Sequence, residues 1–160
     1  MKSMTISLTV NGVLRECEVA SGTVLSDVLR ETLGLQGCKI ACDQGLCGAC
    51  TVLVDGNPIA ACSSFAFASD GCAITTVEGL KTDGVLHAVQ SSFLENSAFQ
   101  CGFCTSGMIL SIVALLRTHP DPDDETIRDW LGGNVCRCTG YGAIVEAVRS
   151  AIPAHALEHA

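Results

Sequence analysis

The number and spacing of the cysteines constrain this chain more than any other feature of its sequence. Eleven of the 160 residues are cysteine, and an odd number cannot be paired completely within one chain. The N-terminal stretch lacks the unbroken apolar run of an export signal. Without export, dense cysteine favours metal binding over disulfides. We therefore expect a metal-binding protein that is cytoplasmic, or periplasmic if a partner carries the export signal.

Composition argues against two kinds of partner. The formal net charge is −8, and no run of Lys or Arg occurs. Nucleic-acid binding depends largely on basic contacts to phosphates, so we expect no nucleic-acid partner. The longest apolar stretch, residues 108–116, is too short to span a bilayer, so we expect no membrane insertion.

The first cysteine set lies in the segment "CDQGLCGAC". Cys42, Cys47 and Cys50 have the spacing C-x4-C-x2-C, and Cys62 follows after a predicted hairpin. This triplet is the plant-type [2Fe–2S] pattern, and the glycines within it permit the folded-back backbone that three converging thiolates need. Zinc is the alternative, but zinc sites commonly use two separate C-x2-4-C pairs. The spacing therefore favours an iron–sulfur cluster.

The second cysteine set consists of two pairs. "QCGFC" contains Cys101 and Cys104, and "VCRC" contains Cys136 and Cys138. The intervening residues are enough to form one helix, a turn and a shorter helix that runs in the opposite direction. Both pairs can therefore meet at one end of a helical bundle. From this spacing alone, both zinc and an iron–sulfur cluster remain open.

The part of the chain before residue 80 is predicted to contain strands and turns. One helix, capped by Ser21 or Thr23, is expected to end at Gly34. Alternating apolar residues, with Asn-Gly and Asp-Gly turn signals, predict the strands. The strands are expected at 5–10 and 13–19, as the two strands of a hairpin over 51–61, and at 73–77.

The part after the candidate linker 78–84 is predicted to be helical. Apolar residues recur at helical spacing, and short turns join the segments, as in a four-helix bundle. The last helix is expected to stop before Pro153 and to leave a frayed tail. The predicted helices cover 85–96, 105–118, 123–131 and 141–152.

Three motifs, taken in order, closely resemble the iron–sulfur subunit of the xanthine oxidase family of molybdenum hydroxylases. They are "CDQGLCGACTVLVDG", "QCGFCTSGM" and "GNVCRCTGY". The resemblance implies an α+β fold with two domains. Residues 1–80 would form a β-grasp [2Fe–2S] ferredoxin domain, and residues 81–160 a four-helix-bundle [2Fe–2S] domain.

The resemblance also implies the site residues. Gln100 and Cys138 match family positions that hydrogen-bond the pterin held by a large partner subunit. Two sets of four cysteines each match the ligands of one [2Fe–2S] cluster. The outer set is Cys42, Cys47, Cys50 and Cys62, and the inner set is Cys101, Cys104, Cys136 and Cys138.

The function implied by the resemblance is electron transfer within a molybdopterin-dependent hydroxylase. Electrons would pass from molybdenum, held as a molybdopterin cytosine dinucleotide on the large subunit, through both clusters. The acceptor would be FAD on a medium subunit or another group, and the whole complex would dimerise. We identify no residues that transform substrate on this chain. The alternative is a stand-alone two-cluster ferredoxin, whose acidity would suit docking to a basic partner.

Four further residues need separate interpretation. Ser106 stands where the family often has proline, which should loosen the start of the second helix of the bundle. Cys17 and Cys72 are expected to act as small buried hydrophobes. Cys38 lies nearest the first cluster and is the one thiol that could compete as a ligand.

Overall fold

The computed structural model describes residues 3–158 and begins with a five-stranded mixed sheet. The strands are β1 (Ser3–Val10), β2 (Val13–Ala20), β3 (Thr51–Val54), β4 (Asn57–Ala60) and β5 (Ala73–Thr75). The strand order is β2-β1-β5-β3-β4, with β1 and β5 parallel and the other neighbours antiparallel. One short helical segment packs against the sheet, so the sheet half has the predicted β-grasp fold.

Both hairpins turn where the sequence predicts. Asn11 and Gly12 have φ of 50° and 78°, and Asp55 and Gly56 have φ of 47° and 82°. Two consecutive residues with positive φ form the tight turn that matches the twist of paired strands. The turn residues therefore fix the register of β1 with β2 and of β3 with β4.

The helical segment after β2 differs from the prediction. Helix α1 (Leu25–Asp27) is a single turn that continues as a π-helical turn over Val28–Thr32. The predicted cap was wrong, because the residue before the helix is Val24, which cannot cap with its side chain. Instead, the Leu25 N–H donates to the Ser64 carbonyl at 2.8 Å. A tertiary partner thus replaces the local cap.

Four helices form the second half, as predicted. The observed bounds are α2 (Ala88–Glu95), α3 (Thr105–Thr118), α4 (Asp124–Leu131) and α5 (Gly142–Glu158). Helix α3 is buried along most of its length and contacts both α2 and α4. Helix α2 packs mainly on α5.

Helix α2 begins three residues later than predicted. Backbone hydrogen bonds in both directions join Thr82 and Val85, which places Val85 in a turn rather than in the helix. His87 then caps the helix, because its Nδ1 accepts from the Val89 N–H at 3.2 Å. Gln90 Oε1 accepts from the His87 N–H and completes a capping box.

Helix α5 continues past Pro153, so the predicted end and most of the predicted frayed tail were wrong. Proline removes one hydrogen bond from a helix interior, which is why it normally marks an end. Here His155, beyond the proline, is buried, and its ring packs against His87 at a centroid distance of 5.4 Å. That tertiary contact holds the extra turn. The last two residues of the tail lie outside the described residues.

The candidate linker 78–84 is bonded to both halves of the molecule. It overlaps a 3₁₀ turn over Val77–Leu80 whose apolar side chains pack into the helical core. Gln90 of α2 donates to the Val77 carbonyl at 3.0 Å, and Glu78 accepts from the Gly37 N–H at 2.7 Å. The predicted division near residue 80 therefore falls in a segment with structure of its own.

Within residues 3–158, no helix is both long and apolar enough to cross a membrane.

Candidate iron–sulfur sites

The first ligand loop is built from its own backbone. Its N–H groups point at cysteine sulfurs: those of Gln44 and Leu46 lie 3.4 and 3.3 Å from Cys42 Sγ. The Gly45 N–H lies 3.3 Å from Cys62 Sγ. Gly45 has φ of +71°, and an added Cβ would lie 2.6 Å from the Ser63 hydroxyl oxygen. Glycine is therefore required at the point where the loop folds back.

The thiols of this loop differ in acidity. Backbone N–H donors from Gln44 and Leu46 lower the pKa of Cys42 from 9.0 to about 6. Burial raises the pKa of Cys50 to about 11. The thiolate is the form that binds metal, and a bound cation supplies the charge that stabilises it. One side of the loop is thus ready to ligate, and the buried side ionises only with a metal present.

The four cysteines of the first set lie as two pairs. The Cys42 thiol interacts with Cys47, and the Cys50 thiol interacts with Cys62, whose N–H donates to Cys50 Sγ at 3.5 Å. The pairs are also in electrostatic contact through Cys47 and Cys50. Each iron of a [2Fe–2S] cluster takes two protein ligands, so two adjacent pairs match its chemistry.

The second set is assembled from two distant loops. Cys101 and Cys104 precede α3, and Cys136 and Cys138 lie between α4 and α5. The fold brings them together at one end of the bundle, where Cys138 Sγ lies 3.7 Å from Cys101 Sγ. Cys104 lies close enough to Cys136 for the two thiols to influence each other's pKa. This set too consists of two pairs, each drawn from both loops.

The second set repeats the split in acidity. Burial, reinforced by Cys136, raises the pKa of Cys104 to about 12. Burial also acts to raise the pKa of Cys136, but hydrogen bonds, chiefly from Thr139 and also from Cys138 and Cys104, together outweigh it and lower the value to about 7. In each set, one thiol is poised to ionise and another requires the metal.

Side chains that the sequence reasoning missed shape the second site. Thr139 Oγ1 lies 3.1 Å from Cys136 Sγ. The Tyr141 hydroxyl accepts from the Cys136 N–H at 2.8 Å and donates to the Asn134 carbonyl at 3.1 Å. All three lie in the motif "GNVCRCTGY". Spacing between cysteines carries no information about them, because their role depends on hydrogen bonds across the loop.

The two ligand loops touch each other directly. The Val135 N–H donates to the Cys47 carbonyl at 2.8 Å, and the Asn134 amide donates to the Gly48 carbonyl at 2.9 Å. Residues of both loops line a shared cavity of about 220 Å³. Gly107 at the start of α3 packs so tightly on the Gly48 carbonyl that a Cβ would clash with it. The two sites are therefore fixed relative to each other.

Two of the other residues interpreted from the sequence, Gln100 and Cys38, lie next to these sites. Gln100 is exposed beside the exposed Cys101 and Cys138. Cys38 is buried next to the first set, and its thiol donates to the Cys50 carbonyl at 3.6 Å. Cys17 is buried as predicted, whereas Cys72 is only half-buried.

The residues present fit [2Fe–2S] clusters. Each set offers four sulfurs as two adjacent pairs, with N–H or O–H donors aimed at the sulfurs. The hydroxyls of Thr105 and Ser106, beside Cys104, are buried without a partner in the described chain. Among residues 3–158, no group of three His, Cys, Asp or Glu side chains is arranged to hold a single metal ion. A two-iron centre needs only two ligands at each iron.

Both halves of the chain match known family models. Residues 8–76 match the family model "2Fe-2S iron-sulfur cluster binding domain", and residues 76–149 match "[2Fe-2S] binding domain". The chain is thus an iron–sulfur protein with two cluster-binding regions.

Relatives identify the family. The nicotinate dehydrogenase small FeS subunit of Eubacterium barkeri is 46% identical, over 95% of this chain and 97% of its own. The nicotine 6-hydroxylase small subunit of Paenarthrobacter nicotinovorans is 45% identical, over 91% of this chain and 88% of its own. A chain of quinoline 2-oxidoreductase from Pseudomonas putida 86 superposes with a TM-score of 0.94 at 42% identity, with both chains fully covered.

The chain belongs to the small iron–sulfur subunits of the xanthine oxidase family of molybdenum hydroxylases. It is an electron-transfer subunit that binds two [2Fe–2S] clusters. The α+β fold and the family inferred from the sequence motifs are both confirmed.

Proposed function

We propose that the two sets of paired cysteines are the cluster ligands. In the outer site Cys42 and Cys47 bind one iron, and Cys50 and Cys62 bind the other. In the inner site the pairs are Cys101 with Cys138 and Cys104 with Cys136. The sulfur contacts within each pair support this assignment. When bound, each cluster supplies one-electron redox chemistry.

The hydrogen bond between the two ligand loops is the main support for electron transfer between the clusters. Cys47 accepts from the Val135 N–H at 2.8 Å, and Val135 is bonded directly to Cys136. One hydrogen bond therefore completes a bonded route from a ligand of one cluster to a ligand of the other. Electrons can move between the clusters within this chain, without a diffusing carrier.

The partners are proposed from the exposure of the inner site and from the relatives. Cys101 and Cys138 are exposed, and the apolar side chains of Phe99, Phe103 and Val135 around them are also partly exposed. We place a large molybdopterin-binding subunit on this face, with Gln100 and Cys138 contacting the pterin. A protein partner would bury the apolar side chains that the chain alone leaves in water.

The finer architecture follows the family. A medium subunit carrying FAD accepts electrons from the outer cluster, and the complex dimerises. The domains divide as 1–80 and 81–160, and the complex acts in the cytoplasm unless a partner carries it to the periplasm. This chain contributes no residue that transforms substrate. Its residues hold the clusters, orient them and exclude water from Cys50 and Cys62.

Purification of the complex from its native host tests the function. We expect co-purification with a molybdenum-containing subunit, with four iron atoms per copy of this chain. Reduction should give two distinct [2Fe–2S] signals in electron paramagnetic resonance (EPR). A complex without molybdenum, or with a single [2Fe–2S] centre, would contradict the proposal. A fully loaded chain isolated without a large subunit would instead support the stand-alone ferredoxin.

A further inference from the structure

One sulfur of the inner site has an unusual hydrogen-bond partner. Cys136 Sγ lies 3.1 Å from Thr139 Oγ1 and 3.5 Å from the Thr139 N–H. Within the described chain, Cys136 is the only one of the eight proposed ligands with a side-chain hydroxyl bonded to its sulfur. The bonds from non-cysteine donors to the outer set come from backbone N–H groups.

The direction of this hydrogen bond follows from the chemistry of the groups. A cysteine bound to iron is a thiolate and has no proton to donate. Thr139 Oγ1 already accepts from the Tyr141 N–H at 3.2 Å, so its own proton is free for the sulfur. The Thr139 hydroxyl is therefore the donor and Cys136 the acceptor.

Tyr141 holds Thr139 in position. Its φ is +68°, a conformation that bulky residues rarely adopt. Its hydroxyl bridges the Cys136 N–H and the Asn134 carbonyl, which closes the loop around the threonine. The Tyr141 N–H, the Thr139 hydroxyl and Cys136 Sγ form a chain of hydrogen bonds, and the bonds in such a chain strengthen one another. The donor is thus fixed by the loop and does not rotate freely.

We propose that Thr139 sets the reduction potential of the inner cluster by donating its hydroxyl hydrogen bond to Cys136. The inference rests on the proposed assignment of Cys136 as an inner-cluster ligand. Reduction adds one electron and makes the sulfurs more negative, and no bond forms or breaks. A donor to the sulfur stabilises that added charge, so Thr139 raises the potential and favours electron uptake by the inner site.

The test compares two substitutions in the purified complex. Thr139→Val keeps the shape and the backbone N–H but removes the hydroxyl, and Thr139→Ser keeps the hydroxyl. Redox titration followed by EPR measures the two clusters separately. We expect Thr139→Val to lower the equilibrium constant for reducing the inner cluster about tenfold, which is about 59 mV for one electron. Thr139→Ser should retain most of the native value, and the outer cluster should not change in either variant.

Two results would overturn the inference. One is an unchanged inner potential in a fully loaded Thr139→Val complex, and the other is an equal shift in Thr139→Ser. If Thr139→Val loads incompletely, Thr139→Ala is measured in its place. If neither variant loads, electron–nuclear double resonance of the native complex in H₂O and D₂O decides. An exchangeable hydrogen coupled more strongly than that of the Thr139 N–H, which lies farther from the sulfur, supports the proposal, and its absence contradicts it.

A ligand control separates this inference from the proposed function. Cys136→Ala should abolish the native inner-cluster signal. If that signal persists, the ligand assignment fails and the role of Thr139 fails with it. If the signal is lost while the Thr139→Val potential is unchanged, the ligand assignment stands and only the tuning role is wrong.

Discussion

The two ligand loops hold their sulfurs with different parts of the chain. In the outer loop, backbone N–H groups of Gln44, Gly45 and Leu46 donate to the sulfurs. In the inner loop, the side chains of Thr139 and Tyr141 organise the ligands. A backbone-built site depends on loop conformation and tolerates many side chains. A site built from side chains can be altered by removing a single hydroxyl.

The two sites also differ in how deeply their cysteines are buried. Cys50 and Cys62 of the outer set are buried within this chain, whereas Cys101 and Cys138 of the inner set are exposed. Hydrogen bonds and solvent exposure both influence the potential of a cluster. The potential of the outer site is therefore set mostly by this chain, and that of the inner site should change when a partner subunit covers it.

Removal of an exposed cysteine that we propose as an inner-cluster ligand should have the largest effect. We expect Cys138→Ala to lose the inner-cluster EPR signal and to retain the outer one, because the outer ligands come from a separate loop. Cys72→Ala is the matched control, since Cys72 lies outside both sets, and it should retain both signals. Simultaneous loss of both signals in Cys138→Ala would show that the sites are not independent, and the division near residue 80 would need revision.

Overpacking where the loops meet α3 should have the next largest effect. A Cβ at Gly107 would clash with the Gly48 carbonyl and lie 3.2 Å from the Ala49 carbonyl, and backbone there cannot move easily. Gly107→Ala should therefore reduce the free energy of unfolding by about 2–3 kcal/mol. Thermal or denaturant unfolding of the full chain measures this.

The control for this substitution is Gly22→Ala. An added Cβ at Gly22 has no atom within 4 Å, so its stability should remain close to native. If Gly107→Ala were as stable as Gly22→Ala, the loops would be less tightly packed on α3 than the structure shows.

The fold was predicted well from the sequence, and the cysteines that the motifs group lie near one another in the structure, for identifiable reasons. Turn residues such as Asn11-Gly12 act locally, and the C-x4-C-x2-C spacing reflects one loop around one cluster. The errors occurred where tertiary contacts override local rules. The Ser64 carbonyl replaces the predicted cap of α1, and buried His155 carries α5 past Pro153. The hydroxyl of Thr139 was missed because its role is visible only in three dimensions.

The Asn134 side-chain amide, which joins the two loops, should make a moderate contribution to the free energy of unfolding. Asn134 is buried and donates to the Gly48 carbonyl at 2.9 Å. Asn134→Ala removes this hydrogen bond, which should cost about 0.5–1.5 kcal/mol, because the Gly48 carbonyl keeps its two bonds from Thr51. The backbone bond between Val135 and Cys47 remains, so both EPR signals should persist. Exposed Asn57, which bonds a neighbouring carbonyl at 3.3 Å, is the control, and Asn57→Ala should cost far less. An equal loss in both variants would contradict a structural role for the inter-loop amide.

The pKa values of the metal-free thiols should show the smallest of the predicted effects. They are also the most direct test of whether backbone N–H groups organise the outer loop. The pKa of Cys42 is lowered to about 6 from 9.0, chiefly by backbone donors, and that of Cys50 is raised to about 11 by burial. Because the lowered pKa belongs to the folded loop, the Cys42 thiolate contributes stability in full above pH 9.0. That contribution is lost as the pH falls through about 6.

Alkylation with iodoacetamide after gentle removal of the clusters, followed by peptide mass spectrometry, measures these values. The rate at Cys42 should rise to half its maximum near pH 6, and Cys50 should remain largely unmodified at pH 9. A half-maximum near pH 9 for Cys42 would mean that the N–H groups of Gln44 and Leu46 do not hold their positions without metal. The outer loop would then be organised by its cluster, as the inner loop is organised by its side chains.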